Sequence, residues 1–298
     1  MQKSFITDRW KIYGSLRFMA ILSIQSHVTY GYVGNKAAVF PLQSMGYDVC
    51  PVNTVQFSNH TGYPSWTGEV FSGEHIREII QGLDKNNFLP EVQAVLSGYM
   101  GSADICAAVY DSVKKIKALN PKVIYLCDPV IGNTSCFVKP EVLDFFRTQL
   151  SADIITPNQF EAETLTGIRI EDTNSLRKAI AVFHYKNIKT VVVTGNKLKD
   201  YPEDLISAVS DGTNCYLVKN KEFTFKISPN GTGDLLSSLF LGQFLKSGSV
   251  SDALAFAVHY LHAVLQNTLE KGTRELQVLS THYPQISRHI LDQVIKLK

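Results

Sequence analysis

Ser228 to Ser238 reads SPNGTGDLLSS, with two glycines and a threonine set directly before an aspartate and a run of leucines. Gly231 and Gly233 permit a close backbone approach or a positive φ, and Leu235 to Leu241 reads as a buried helix. The start of such a helix carries unpaired N–H groups and a partial positive charge, which suits an anion. Taken alone, the step has two readings. Asp234 caps the helix and complements its dipole, or it accepts a proton beside a bound phosphate.

Two further acids close apolar runs, Asp128 in CDPVIGN and Glu161 in TPNQFEAE. Hard carboxylate oxygens facing a triphosphate suit Mg²⁺, which keeps several waters and takes few protein ligands. There is no GxxxxGK[ST] phosphate loop, so a nucleotide would be held by another route. The GTGD step supplies one, because phosphoryl transfer needs positioning and preorganised positive potential more than covalent help. The N–H groups from Gly231 through Thr232 and Gly233 would face the phosphate, and Asp234 would take the proton of an attacking hydroxyl. His259 and His262 are three apart on a helical pattern but have no third ligand in view, and they read as a helix face.

These groups need a scaffold, and the pattern supplies it. MAILSIQ, YDVCPVN, VQAVLSG, KVIYLCDP, DIITPN and TVVVTG are short apolar runs ending in polar residues, glycine or proline, as buried parallel strands do. Helical patterns lie between them: Val33 to Met45, Gly73 to Leu83, Ala103 to Ala118, Pro140 to Leu150, Gln159 to Thr166 and Ser175 to Tyr185. The alternation predicts an α/β fold of three layers, a mostly parallel sheet with helices on both faces. LISAVS, NCYLVKN and EFTFKI then follow one another across the turn signals DGTN and KNKE, which predicts an antiparallel meander before the GTGD step. Two helices come next, Asp234 to Lys246 and Asp252 to Lys271, the second opened by Ser249 with Asp252 three residues on.

Ligands of such sheets sit beyond the carboxyl ends of the strands. The segments to examine are therefore Ser26 and His27, Asn53 to Thr61, Ser97 to Gly101, Asp128 to Asn133, Thr156 to Glu161 and Thr194 to Asn196. They are expected to converge on one cleft.

Composition sets the outer bounds. With 298 residues, 45% of them hydrophobic and no linker-like stretch, one core is expected over residues 19–298. A net charge of +2 with 19% charged residues leaves no basic footprint for nucleic acid, so a small-molecule ligand is expected. Cys50, Cys106, Cys127, Cys136 and Cys215 are scattered without CxxC spacing, which fits a reducing, cytoplasmic setting. No apolar run reaches membrane-spanning length. Residues 1–18 carry four basic side chains and one acid, and are expected to be a flexible extension rather than a transit peptide. Translation from Met19 is the other reading.

In this order and with these separations, SIQSHVTYGYVGNKAAVFPLQSMGYDV, VNTVQFSNHTGY, CDPVIGN, DIITPNQFEAETLTG and GTGD resemble the pyridoxal kinases of the ribokinase-like superfamily. The resemblance runs from about Ile21 to the helix after Asp234. It implies ATP-dependent phosphorylation of the 5′-hydroxymethyl group of pyridoxal, pyridoxine or pyridoxamine, with Mg²⁺ or another divalent cation, and a homodimer. It further implies that Ser26 and Thr61 hydrogen-bond the vitamin while Val55, Phe57 and Tyr99 surround its ring. Asp128, Thr156 and Glu161 would serve the metal, and Asp128, Asn133, Asn158, Glu161, Thr194, Gly195, Thr232 and Gly233 the nucleotide. Asp234 would be the base, and a monovalent K⁺ or Na⁺ would lie near Asp128. Two readings stay beside this one: a hydroxymethylpyrimidine kinase, which shares the fold and anion hole, and a catalytically weak vitamin-binding protein.

Departures from the relatives' pattern concern the nucleotide side. Asn133 stands where many relatives carry aspartate, and Gly195 where some carry serine. Phe137, on the short loop NTSCFVKPE, stands where animal relatives place a flap tyrosine over ATP.

Overall fold

The first apolar run folds as β1 (Ala20–Val28), because it alternates between two cores and leaves almost nothing of itself exposed. A computed structural model describes residues 20–281 and 288–297, and the extension expected at residues 1–18 lies outside them. After β1 come α1 (Asn35–Ser44), β2 (Asp48–Phe57), β3 (Gly68–Val70) and α2 (Gly73–Lys85), then β4 (Val92–Ser97), α3 (Ala103–Leu119) and β5 (Ile124–Cys127). The chain continues through α4 (Pro140–Gln149), β6 (Ile154–Ile155), α5 (Gln159–Thr166), α6 (Thr173–Tyr185), β7 (Thr190–Lys197), β8 (Leu205–Ser210) and β9 (Cys215–Asn220). Helices α7 (Thr232–Ser247), α8 (Val250–Glu270) and α9 (Arg288–Leu291) precede β10 (Val294–Leu297).

Helix boundaries follow local chemistry. Ser72 and Ser249 accept the backbone N–H groups of His75 and Asp252 at the starts of α2 and α8. Asn158 and Glu161 close a reciprocal capping box on α5, which stops at Gly167 in the left-handed region (φ 71°).

Ten strands form one sheet in the order β10-β9-β8-β7-β6-β5-β4-β1-β2-β3. The pairs from β2 through β7 that flank β1, β4, β5 and β6 are parallel, whereas β2/β3, β7/β8, β8/β9 and β9/β10 are antiparallel. One apolar layer joins α2 to α6 to the sheet, and the other joins α1, α7 and α8. Because β1 lies between β4 and β2, the strand order reverses there, and ligands of open α/β sheets bind beyond the carboxyl ends at such a reversal.

The meander differs from expectation at its third strand. EFTFKI, residues 222–227, is irregular, and the ring of Phe223 lies 4.5 Å from that of His262 on α8. The place beside β9 belongs to β10, paired Val294 with Val218 through Leu297 with Cys215. β10 fits there because Val294 packs on one apolar layer while Ile295 and Leu297 pack on the other. Among the described residues, no helix is long and apolar enough to cross a membrane.

Candidate active site

The GTGD step is the entry to α7. Gly231 caps the helix with φ 86°, and a Cβ there would overlap the carbonyl oxygen of Tyr32. Gly233 leaves room for Asp128, whose Oδ2 would lie only 3.3 Å from a Cβ at that position. Close approach of backbone therefore requires glycine at 231, whereas at 233 a side chain would crowd the Asp128 carboxylate by a few tenths of an ångström. Asp234 does not cap its own helix. Its Oδ2 accepts the Gly34 N–H at 2.7 Å, and its other oxygen carries no hydrogen bond from the described residues.

The acids at the strand ends meet this step. Asp128, just after β5, accepts the Ser237 hydroxyl at 3.3 Å, and Ser237 lies 2.8 Å from the Thr156 hydroxyl. Ser237 sits three residues beyond Asp234 on the same face of α7, so it links the helix to two strand ends. Glu161 is held differently. Its Oε1 accepts the N–H groups of Ile131 and Gly132 at 2.8 and 3.3 Å, and its Oε2 accepts that of Asn158 at 2.9 Å. It therefore shapes the loop after Asp128 as well as capping α5.

Three acids in one buried place oppose one another's ionisation. Burial, then the charges of Glu161 and Asp234, push Asp128 well above the usual carboxylate range. Burial lifts Glu161 to about 7 in spite of its three N–H partners. Burial also raises Asp234, against the pull of the Gly34 N–H. Among the described residues none of the three acids forms an ion pair. Nor do the described residues hold a ready cage of three His, Cys, Asp or Glu side chains. One or two carboxylates with surrounding water could hold Mg²⁺, whose charge would offset theirs.

Beside the acids runs a polar rim. Asn158 pairs with Thr194 in a parallel bridge, and its Nδ2 donates to the Gly132 carbonyl at 2.8 Å and to Asn133 Oδ1 at 3.2 Å. Gly195 follows at φ 67° with open space around it. On the other side of the acids, Val55 and Phe57 from β2 form a small apolar cluster with Val28 and Val33, and Tyr99 packs against it. Ser26 is buried at the end of β1, its carbonyl pressed against Gly34. Thr61 stands apart, exposed on the loop between β2 and β3. Phe137 is 58% exposed with its ring 6.5 Å from that of Tyr99, so it stands beside the apolar cluster.

The family model described as Phosphomethylpyrimidine kinase matches residues 75–279. Pyridoxal kinase PdxY of Corynebacterium diphtheriae is 41% identical over 268 residues, covering 88% of this chain and 94% of that protein. The chain belongs to the pyridoxal kinase family. Among solved pyridoxal kinases, that of Leishmania donovani in complex with ADP and pyridoxamine superposes with a TM-score of 0.85 at 34% identity, over 94% of this chain and 100% of that one. The Trypanosoma brucei pyridoxal kinase superposes at 0.79 with 32% identity, over 93% and 96%.

Two groups of the site are not evident from residue type. Ser237 was legible as a hydroxyl one turn after Asp234, on a helix already assigned. The Gly34 N–H had only the glycines of GYVGN as a signal, because a backbone donor leaves no trace in residue type.

Proposed function

We propose that this chain transfers the γ-phosphoryl group of ATP to the 5′-hydroxymethyl group of pyridoxal, and of pyridoxine and pyridoxamine, giving the 5′-phosphate in vitamin B6 salvage. The observation that carries the reading is the carboxylate of Asp234, held on one oxygen by the Gly34 N–H at 2.7 Å and open on the other, at the start of α7. Asp234 takes the hydroxyl proton as the oxygen attacks, and the N–H groups of Thr232 and Gly233 meet the charge spread over the transferring phosphoryl oxygens. Ser26 and Thr61 orient the vitamin while Val55, Phe57 and Tyr99 enclose its ring. Asn133, Asn158, Thr194 and Gly195 line the nucleotide. Asp128, Glu161 and Thr156 would hold Mg²⁺, which would supply positive charge to the phosphates. A K⁺ or Na⁺ near Asp128, a single kinase domain from residue 19, a homodimer and a cytoplasmic location complete the reading.

ATP consumption with each vitamer, compared with hydroxymethylpyrimidine, tests it directly. Pyridoxal is the expected acceptor; turnover of the pyrimidine alone would assign the chain to the other branch, and turnover of neither would leave a binding protein.

The metal role carries its own pH signature. Burial lifts Glu161 to about 7 from its ordinary 4.5, so acidification through that range would take its negative charge from the cation. Mg²⁺ affinity measured by calorimetry is expected to weaken as the pH falls through about 7, because burial raises both Glu161 and Asp128 and acid protonates them. An affinity flat from about pH 5.5 to 8 would remove this carboxylate from the metal site.

A further inference from the structure

The segment after α8 reaches back to both loops that follow β1 and β2. Glu275 Oε1 accepts the Tyr63 hydroxyl at 2.6 Å, and Oε2 accepts the Tyr32 N–H at 3.1 Å. Gly31, with φ 94°, lies so close to the same carboxylate that a Cβ there would overlap it. The neighbouring Arg274 lies 3.9 Å over the Tyr63 ring and donates to the Gly62 carbonyl at 2.8 Å. One carboxylate therefore joins three stretches of chain, at residues 31–32, 63 and 275. Burial, then the bond to Glu275, pushes the Tyr63 hydroxyl up to about 12, so it remains a donor at neutral pH.

What Glu275 holds leads directly to the reacting groups. The Tyr32 carbonyl packs against Gly231 at the start of α7, and two residues beyond Tyr32 the Gly34 N–H holds Asp234. Tyr63 is two residues beyond Thr61, on the same loop. The contacts of Glu275 do not include Asn133, Asn158 or Thr194 on the nucleotide rim.

We propose that Glu275 is a positioning residue for the vitamin half of the site, fixing through Tyr32 the backbone that aims Asp234 and through Tyr63 the loop that carries Thr61. It acts first on pyridoxal and on the base, and has no contact with Asn133, Asn158 or Thr194 on the nucleotide rim. The inference rests on the pyridoxal kinase reading above, and wild-type turnover of pyridoxal is its reference.

Steady-state kinetics of Glu275→Ala, Glu275→Gln and Tyr63→Phe, with both substrates varied and thermal unfolding recorded beside them, tests the assignment. Glu275→Ala is expected to raise the pyridoxal KM and lower kcat, for a combined loss of about tenfold to a hundredfold in kcat/KM, while the ATP KM stays within about twofold. Glu275→Gln keeps an acceptor for the Tyr32 N–H and should recover part of that loss. Tyr63→Phe removes one arm, and added to Glu275→Ala it should cost nothing more. The assignment is overturned if both KM values move together, or if unfolding shifts while the pyridoxal kcat/KM holds. Additive losses from Tyr63→Phe and Glu275→Ala would overturn it as well. Should Glu275→Ala not fold, the other two single variants decide by the same split between the KM values. An inactive wild type would instead count against the kinase reading.

Discussion

Asp234→Ala phosphorylates pyridoxal roughly 10²–10⁴-fold more slowly than the wild type at saturating ATP and Mg²⁺, with pyridoxal affinity within about threefold. The split follows from where the carboxylate is held. One oxygen is fixed by the Gly34 N–H and the other is open, so removing the group takes away a proton acceptor without disturbing the apolar cluster of Val55 and Phe57. Asp234→Asn sharpens the test. Its amide oxygen still accepts from Gly34, so the loop and α7 keep their register while the base is lost. Both variants should therefore lose turnover to a similar degree. Rapid turnover by Asp234→Asn would make this residue a loop anchor and move the base elsewhere. A loss of pyridoxal affinity that matched the loss of turnover would do the same.

The second large effect is expected at Gly231→Ala. The position needs φ 86°, where an L side chain costs about 1–2 kcal/mol, and the new Cβ would overlap the Tyr32 carbonyl. Something must move, and each candidate matters. A shift of α7 displaces the N–H groups that face the phosphoryl oxygens, and a shift of Tyr32 displaces the Gly34 N–H that holds the base. Loss of a preorganised donor of this kind costs roughly 10²–10³-fold in kcat. Gly248→Ala is the matched control, because Gly248 ends the same helix at φ 66° but has open space where the Cβ would go. Both substitutions carry comparable backbone strain, to which Gly231→Ala adds the overlap with Tyr32, and only Gly231→Ala should lose turnover beyond about tenfold. If the two variants lose activity equally, the effect is general strain and the helix start has no special role.

The relation between sequence and site is uneven, and the unevenness has a physical cause. Helix α5 was legible to the residue as Gln159 to Thr166, because its capping box and terminal glycine are signals carried within the helix itself. The strands that lead to Ser26, Asp128 and Thr156 were legible as strands though not in their bounds, since burial on both faces writes itself as a mostly apolar run. EFTFKI misled for the same reason that these runs informed. Its alternation is that of an edge strand, yet its Phe223 packs on His262 and the edge goes to Val294–Leu297. Alternation records that one side is apolar and does not record which surface it meets.

Order and residue type in the sequence determined the α/β layers, the crevice rim, the family and the candidacy of Asp128, Glu161 and Asp234. Only the tertiary structure decided how those acids are held. The hydroxyl of Ser237 joins Asp128 to Thr156, three backbone N–H groups engage Glu161, and the Gly34 N–H grips Asp234 across 200 positions of chain. Glu275 likewise reaches Tyr32 and Tyr63 from 243 and 212 positions away. Local pattern reports propensity and burial, which depend on near neighbours in the chain. Hydrogen bonds between a backbone donor and a distant carboxylate depend on packing alone, and packing is settled only when the whole sheet has closed on its helices.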